Sequence, residues 1–198
     1  RSAAMNHGKL TGLVLNDFVK VYSVIEAVDE LTAIKDINAG WCGMVASIVG
    51  YLLTHRYKVP NVEIHSHAHH IWLHVNGKDY DTMFPEGYSK PVIEVWKLKQ
   101  NGWNTEIVSV KQGDEANKGW WDWGFIAVFK AMFDRHQQPY PDYFDSYIKG
   151  AERFKGKENL ERKAITEKRL KVAMTLPVVL TGEVKRNKLL PETFENND

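Results

Sequence analysis

Cysteine occurs once in the 198 residues, at position 42. A single thiol excludes an intrachain disulfide framework and fits a reducing compartment, so a cytoplasmic setting is expected. Net charge is nearly absent: +1 at neutral pH gives no overall pull toward nucleic acid or a membrane surface. Long hydrophobic runs are missing too, and the longest, Gly43 to Leu53, falls short of the roughly 20 residues that span a bilayer. No secretory leader pattern opens the chain. Arg1-Ser2-Ala3-Ala4 ahead of Met5 reads as an appended leader, with the native start expected at Met5. Internal repeats and low-complexity tracts are lacking, which excludes solenoids and fibrous arrays.

What is present is apolar and aromatic. Hydrophobic residues at 43% and aromatics at 12% are enough for a real core and argue against disorder. The length suits a core over 1–140 followed by a helical extension with a polar tail over 141–198. Helical spacing predicts a first helix from about Asp17 to Ile34, capped by Asn16 or Asp17, with Phe18, Val21, Tyr22, Ile25 and Val28 inward. Lys35 to Gly40 reads as a connector. A second helix starts near Cys42 and ends around His55, with Met44, Val45, Ile48, Val49, Leu52 and Leu53 buried. Val62 to Ile64 is a short strand candidate, and Ile71 to Val75 a clearer one. Asn76-Gly77 then predicts a two-residue hairpin returning through Lys78 to Thr82. Ser89 to Gln100 suits helix or strand, and Thr105 to Lys111 suits a strand. A helix leads from the Trp120, Trp121 and Trp123 cluster through His136, and charged helices follow to about Thr175.

Three features carry potential chemistry. Cys42 sits at a helix start, where unpaired N–H groups and the positive dipole end favour a thiolate. A lone cysteine before an apolar run is, on its own, most simply a core residue. The second feature is the run His65, His67, His69, His70 and His74, and the third is Asp81 beyond the hairpin. Strand alternation turns Ile71, Leu73 and Val75 to one face and His70, Trp72 and His74 to the other. The hairpin returns Asp81 toward the start of that strand, beside His70. A thiolate nucleophile, an imidazole that moves the proton and a carboxylate that orients it make a familiar catalytic trio. The Cys42 backbone N–H is a ready oxyanion donor, with the Trp41 indole and the Asn38 amide as auxiliaries.

Gly40-Trp41-Cys42, His70-Ile71-Trp72-Leu73-His74-Val75 and Asn76-Gly77-Lys78-Asp79-Tyr80-Asp81-Thr82 resemble the transglutaminase-like branch of the papain-like cysteine peptidase superfamily. The resemblance implies an α+β papain-like fold, with the cysteine helix on a small antiparallel sheet and extra C-terminal helices. It implies Cys42 as nucleophile, His70 as general base and Asp81 as orienting acid, with Trp41, Asn38 and Trp72 at the oxyanion or substrate position. It is carried by residues 40–82 alone, and Trp41 stands where many animal-type members have Gln.

Two other patterns have plainer readings. His65, His67 and His69 share a face if extended and could bind zinc, although a solvated loop or the rim of the site accounts for them without a metal. The basic stretch Lys149 to Lys171 alternates Lys/Arg with Glu, including Glu158–Arg162 and Glu167–Lys171 at i,i+4 spacing, which fits a solvated helix face better than a nucleic-acid surface. The expectation is cysteine-dependent acyl transfer on a peptide or amide-containing substrate. No cofactor or metal is expected, nor a membrane or nucleic-acid partner, and a protein partner is open. A catalytically inactive papain-like binding module is the alternative.

Overall fold

The computed structural model describes residues 6–67, 70–88, 106–109 and 122–185. The predicted elements at 89–100 and 110–111, Trp120 and Trp121, and the polar tail lie outside the described residues, as does His69. The described architecture is α+β: six α-helices around a four-stranded, wholly antiparallel sheet.

Helix α1 (His7–Glu26) starts ten residues before the predicted boundary. Asn6 caps it, its side chain accepting from the N–H groups of Gly8 (2.9 Å) and Lys9 (3.1 Å). The apolar spacing of Leu10, Leu13 and Val14 extends the stripe upstream, while Gly8 and Gly12 mask it in the sequence. Gly12 is required by close approach, since a Cβ there would lie 2.1 Å from the Pro85 carbonyl oxygen. The predicted helix to Ile34 is in fact two. Ala27 adopts left-handed backbone (φ 54°), and Asp29 then caps α2 (Glu30–Asn38) by accepting from Thr32 N–H at 2.7 Å. Lys35 to Asn38 of the expected connector therefore form the last turn of α2, and Ala39 and Gly40 lie beyond it.

Helix α3 (Cys42–Tyr51) begins at the cysteine and runs into a π-helical turn, Leu52–Arg56, so this segment ends close to the predicted point. Met44, Val45, Ile48, Val49, Leu52 and Leu53 are all buried. The sheet follows as β1 (Glu63–His67), β2 (His70–Val75), β3 (Lys78–Tyr80) and β4 (Glu106–Ser109), in the order β3-β2-β1-β4. Asn76 and Gly77 have φ of 55° and 80°, the geometry of a two-residue turn whose twist matches its strands. That turn sets Val75 opposite Lys78, His74 opposite Asp79 and Leu73 opposite Tyr80. Leu73, Val75 and Tyr80 are buried, as alternation demands, but Ile71 is only half-buried and Trp72 on the other face is buried. Both faces of β2 are thus covered near the site.

Helix α4 (Trp123–Arg135) is capped by Asp122 and buries Phe125, Val128, Phe129, Met132 and Phe133. Its aromatics stack with α5 (Phe144–Glu152): Phe129 lies 4.4 Å from Phe133 and 4.6 Å from Phe144. The charged α6 (Lys157–Ala173) packs on α1 and α4, and its basic residues make specific contacts there. Arg162 Nη2 donates to both oxygens of Glu26 (2.7 and 2.8 Å), Arg169 donates to the Ile25 carbonyl, and Lys163 lies over the Trp123 ring. Part of the basic stretch therefore docks the helix instead of facing solvent. Residues of α5 and α6 join the same hydrophobic cluster as α1 to α4.

Asp17 is a mid-helix residue rather than a cap. It is buried, pairing with Arg135 through one oxygen and with His136 Nε2 through the other at 2.7 Å. His136 Nδ1 meets the Tyr57 hydroxyl at 2.6 Å, and Arg135 also donates to the carbonyls of Ala173 and Leu176. One network thus ties α1, α4, the π-helical segment and the C-terminal end of α6. Asp17→Ala strands a buried guanidinium, so a loss of about 3–5 kcal/mol in unfolding free energy is expected. Urea denaturation checks it, and a loss within experimental error would show that the network contributes nothing to stability.

Candidate active site

The polypeptide brings Cys42, His70 and Asp81 together from three different elements. Cys42 is the first residue of α3, where Trp41 is the N-cap and makes no side-chain capping bond. No side chain therefore competes for the first-turn N–H groups of α3, and the N–H of Gly43 interacts with the Cys42 sulfur. His70 opens β2, the strand against which α3 packs. Asp81 follows β3 at once, so the hairpin register determines its position.

Asp81 Oδ2 lies 3.0 Å from His70 Nε2, and both side chains are 2% exposed. The other carboxylate oxygen accepts from the backbone N–H groups of Met83 (2.9 Å) and Phe84 (3.0 Å). Those two bonds fix the carboxylate, and the carboxylate fixes the ring. With Nε2 engaged, Nδ1 is the ring nitrogen chemically able to serve the thiol. The ring is also held flat against Trp72, 5.7 Å between centroids at 18°.

Electrostatics in this cluster favour separated charges. Burial alone would push the Cys42 thiol up, but the hydrogen bond and charge of His70, with N–H groups of Ile71 and Gly43, outweigh it and hold the thiol below its ordinary value. Burial would likewise push His70 down. The Asp81 hydrogen bond, reinforced by Cys42 and by the Asp81 charge, instead raises it to about 9. An imidazolium beside an acidified thiol is the resting form such shifts produce at neutral pH.

Other expected site residues take different places. Asn38 does not offer its amide to an oxyanion. Both of its N–H groups are committed, to the Ile34 carbonyl and to Thr82 Oγ1, each at 2.8 Å. It braces the end of α2 against the segment after Asp81. The Trp41 ring packs edge-on against Tyr22 of α1 at 5.6 Å, in the seam between α1 and α3. Trp72 lies beside His70, buried, and its indole nitrogen has no hydrogen-bond partner among the described residues. His65 lies in β1, paired with Trp72, and not in a solvated loop. His67 closes that strand, and its side chain lies outside the described residues. The Gly43 N–H is one of the unpaired first-turn donors expected at the helix start, whereas the Ile71 N–H comes from the neighbouring strand and carries no sequence signal of its own.

No protein-family model, no curated protein and no solved structure matches the chain. Among the described residues no single helix is long and apolar enough to cross a membrane.

The geometry holds the Cys42 thiol below its ordinary value. Iodoacetamide should alkylate it in the folded protein with a pH inflection below that of a free thiol, about 8.5. His70→Ala removes both the hydrogen bond and the charge that lower the thiol, so the inflection should move up. Mass spectrometry of the alkylated peptide against pH measures both, and labelling only after denaturation would refute an activated thiol.

Proposed function

We propose that the protein is a cysteine-dependent acyl-transfer enzyme acting on a peptide or amide bond, built on a papain-like core of the transglutaminase-like kind. The observation that carries this reading is the buried His70–Asp81 pair, 3.0 Å apart, coupled to a thiol at a helix start. The order of helix-borne cysteine, strand-borne histidine and hairpin-borne aspartate supports the fold assignment.

The chemistry follows from the charges. The Cys42 thiolate attacks the amide carbon, and its electron pair forms the C–S bond while the carbonyl oxygen becomes an oxyanion. The Cys42 backbone N–H, uncapped at the start of α3, is the donor suited to that oxygen. Collapse of the intermediate expels the amine, and the His70 imidazolium supplies its proton. The neutral imidazole then takes a proton from water, which attacks the thioester and releases the acid. An amine in place of water would give transfer, with the same residues in the same roles. Hydrolysis is favoured, since no residue set in the sequence marks an amine site. Asp81 holds the imidazole and stabilises its charge without exchanging its own proton.

Two expectations test this. Cys42→Ala should abolish turnover, His70→Ala should come next, and Asp81→Asn should cost less, roughly ten- to a thousand-fold, because a thiol depends less on its base than a hydroxyl does. Release of fluorophore from a panel of peptidyl amides, with mass spectrometry of an acyl adduct on Cys42, reads the order. Full activity in Asp81→Asn would remove that residue from the mechanism. A folded protein that forms no acyl adduct with any amide or ester would favour a binding module instead. The second expectation concerns pH. Activity should rise as the thiolate forms, below the ordinary thiol range, and fall as His70 loses its proton near about 9. A rate still climbing above pH 10 would contradict the imidazolium as proton donor.

A further inference from the structure

The sheet carries a second polar cluster that acyl transfer does not use. Glu63, His74 and Asp79 are direct cross-strand partners, so one row across β1, β2 and β3 holds three ligand-type side chains. His65 lies two residues along β1 and shares their face. The rings of His65 and His74 stack with centroids 4.6 Å apart and planes at 14°. His74 Nδ1 is 2.7 Å from Asp79 Oδ1, and His65 Nε2 is 3.4 Å from Glu63 Oε1. One ligand atom each from His65, His74 and Asp79 lies within 4.8 Å of the others.

We propose that His65, His74 and Asp79 form a binding site for a divalent transition ion of the zinc type, with Glu63 or water as the fourth ligand. A tetrahedral zinc ion with bonds near 2.0–2.2 Å sets its ligand atoms about 3.3 Å apart, inside the span this cluster already covers. Two imidazoles with one carboxylate select zinc-like ions over calcium or magnesium, which take oxygen ligands. The floor of the cluster is closed and its rim open. Side-chain exposure is 8% for Asp79 and 12% for His65, against 30% for His74 and 39% for Glu63. An ion can therefore enter from solvent.

The role is structural. Trp72 neighbours both centres, its ring 5.7 Å from that of His70 and 6.0 Å from that of His65, and none of the proposed ligands belongs to the trio of Cys42, His70 and Asp81. An ion on these ligands crosslinks β1, β2 and β3. It clamps the hairpin whose two strands deliver His70 and Asp81.

Zinc titration by calorimetry, in a Cys42→Ala background so that the thiol cannot act as a ligand, tests the proposal whatever the reaction is. Chelator-stripped protein should take up one equivalent and gain thermal stability, since the ion binds only the folded sheet. His65→Ala and His74→Ala should each weaken binding by more than the roughly ten- to hundred-fold that loss of an outer partner costs. Cobalt in place of zinc should give a tetrahedral visible spectrum. Far-UV circular dichroism confirms folding, and if His74→Ala does not fold, His65→Ala carries the comparison. Absence of stoichiometric uptake, or uptake that survives loss of His65, would overturn the assignment.

Discussion

The register of the β2–β3 hairpin is the constraint on which the rest depends. Asn76 and Gly77 accept left-handed backbone, and so only two residues separate Val75 from Lys78. A slip of β3 by one residue would turn Tyr80 out of the core and carry Asp81 to the wrong face. It would also break the row of Glu63, His74 and Asp79. Core packing, the His70–Asp81 bond and the polar cluster are therefore three outcomes of one turn. Helix α1 secures the arrangement from beneath, since Gly12 lets it approach the Pro85 backbone just beyond Asp81.

Among the described residues two aspartate–histidine pairs are fully buried, and they do different things. In both, a carboxylate holds an imidazole nitrogen, at 3.0 Å for Asp81–His70 and 2.7 Å for Asp17–His136. What differs is the group on the other side of each ring. His136 meets the Tyr57 hydroxyl, and Asp17 is also held by Arg135, so that network closes on itself and joins helices. His70 is coupled to the chain's one thiol, beside N–H donors at a helix start. The carboxylate–imidazole unit is thus only an orienting device, and its neighbour decides whether it braces helices or faces a thiol.

Burial also shapes the candidate site in two opposing ways. Removing water penalises both the thiolate and the imidazolium, yet it strengthens their mutual attraction and the pull of Asp81. In the balance the opposite charges win, since the thiol falls and the imidazole rises. Trp72 adds to this by covering one side of the His70 ring. Cys42 is buried with the pair, keeping 8% of its surface.

Local signals in the sequence were enough for the cysteine helix, the Asn76-Gly77 hairpin, the inward face of α4 and the juxtaposition of His70 with Asp81. Each rests on short-range periodicity or on counting outward from a two-residue turn. The same counting places His74 opposite Asp79. Sequence periodicity failed at α1, where Gly8 and Gly12 weaken the helical pattern that tertiary packing requires, and at the α1–α2 break, where Asp29 opens a new helix. It could not place Asn38 as a brace, couple Asp17 to residues 135 and 136, or bring β1 alongside β2 with His65 beside His74. Those contacts join residues distant in the chain, and their geometry exists only once the hydrophobic core has fixed how helices and strands lie against one another.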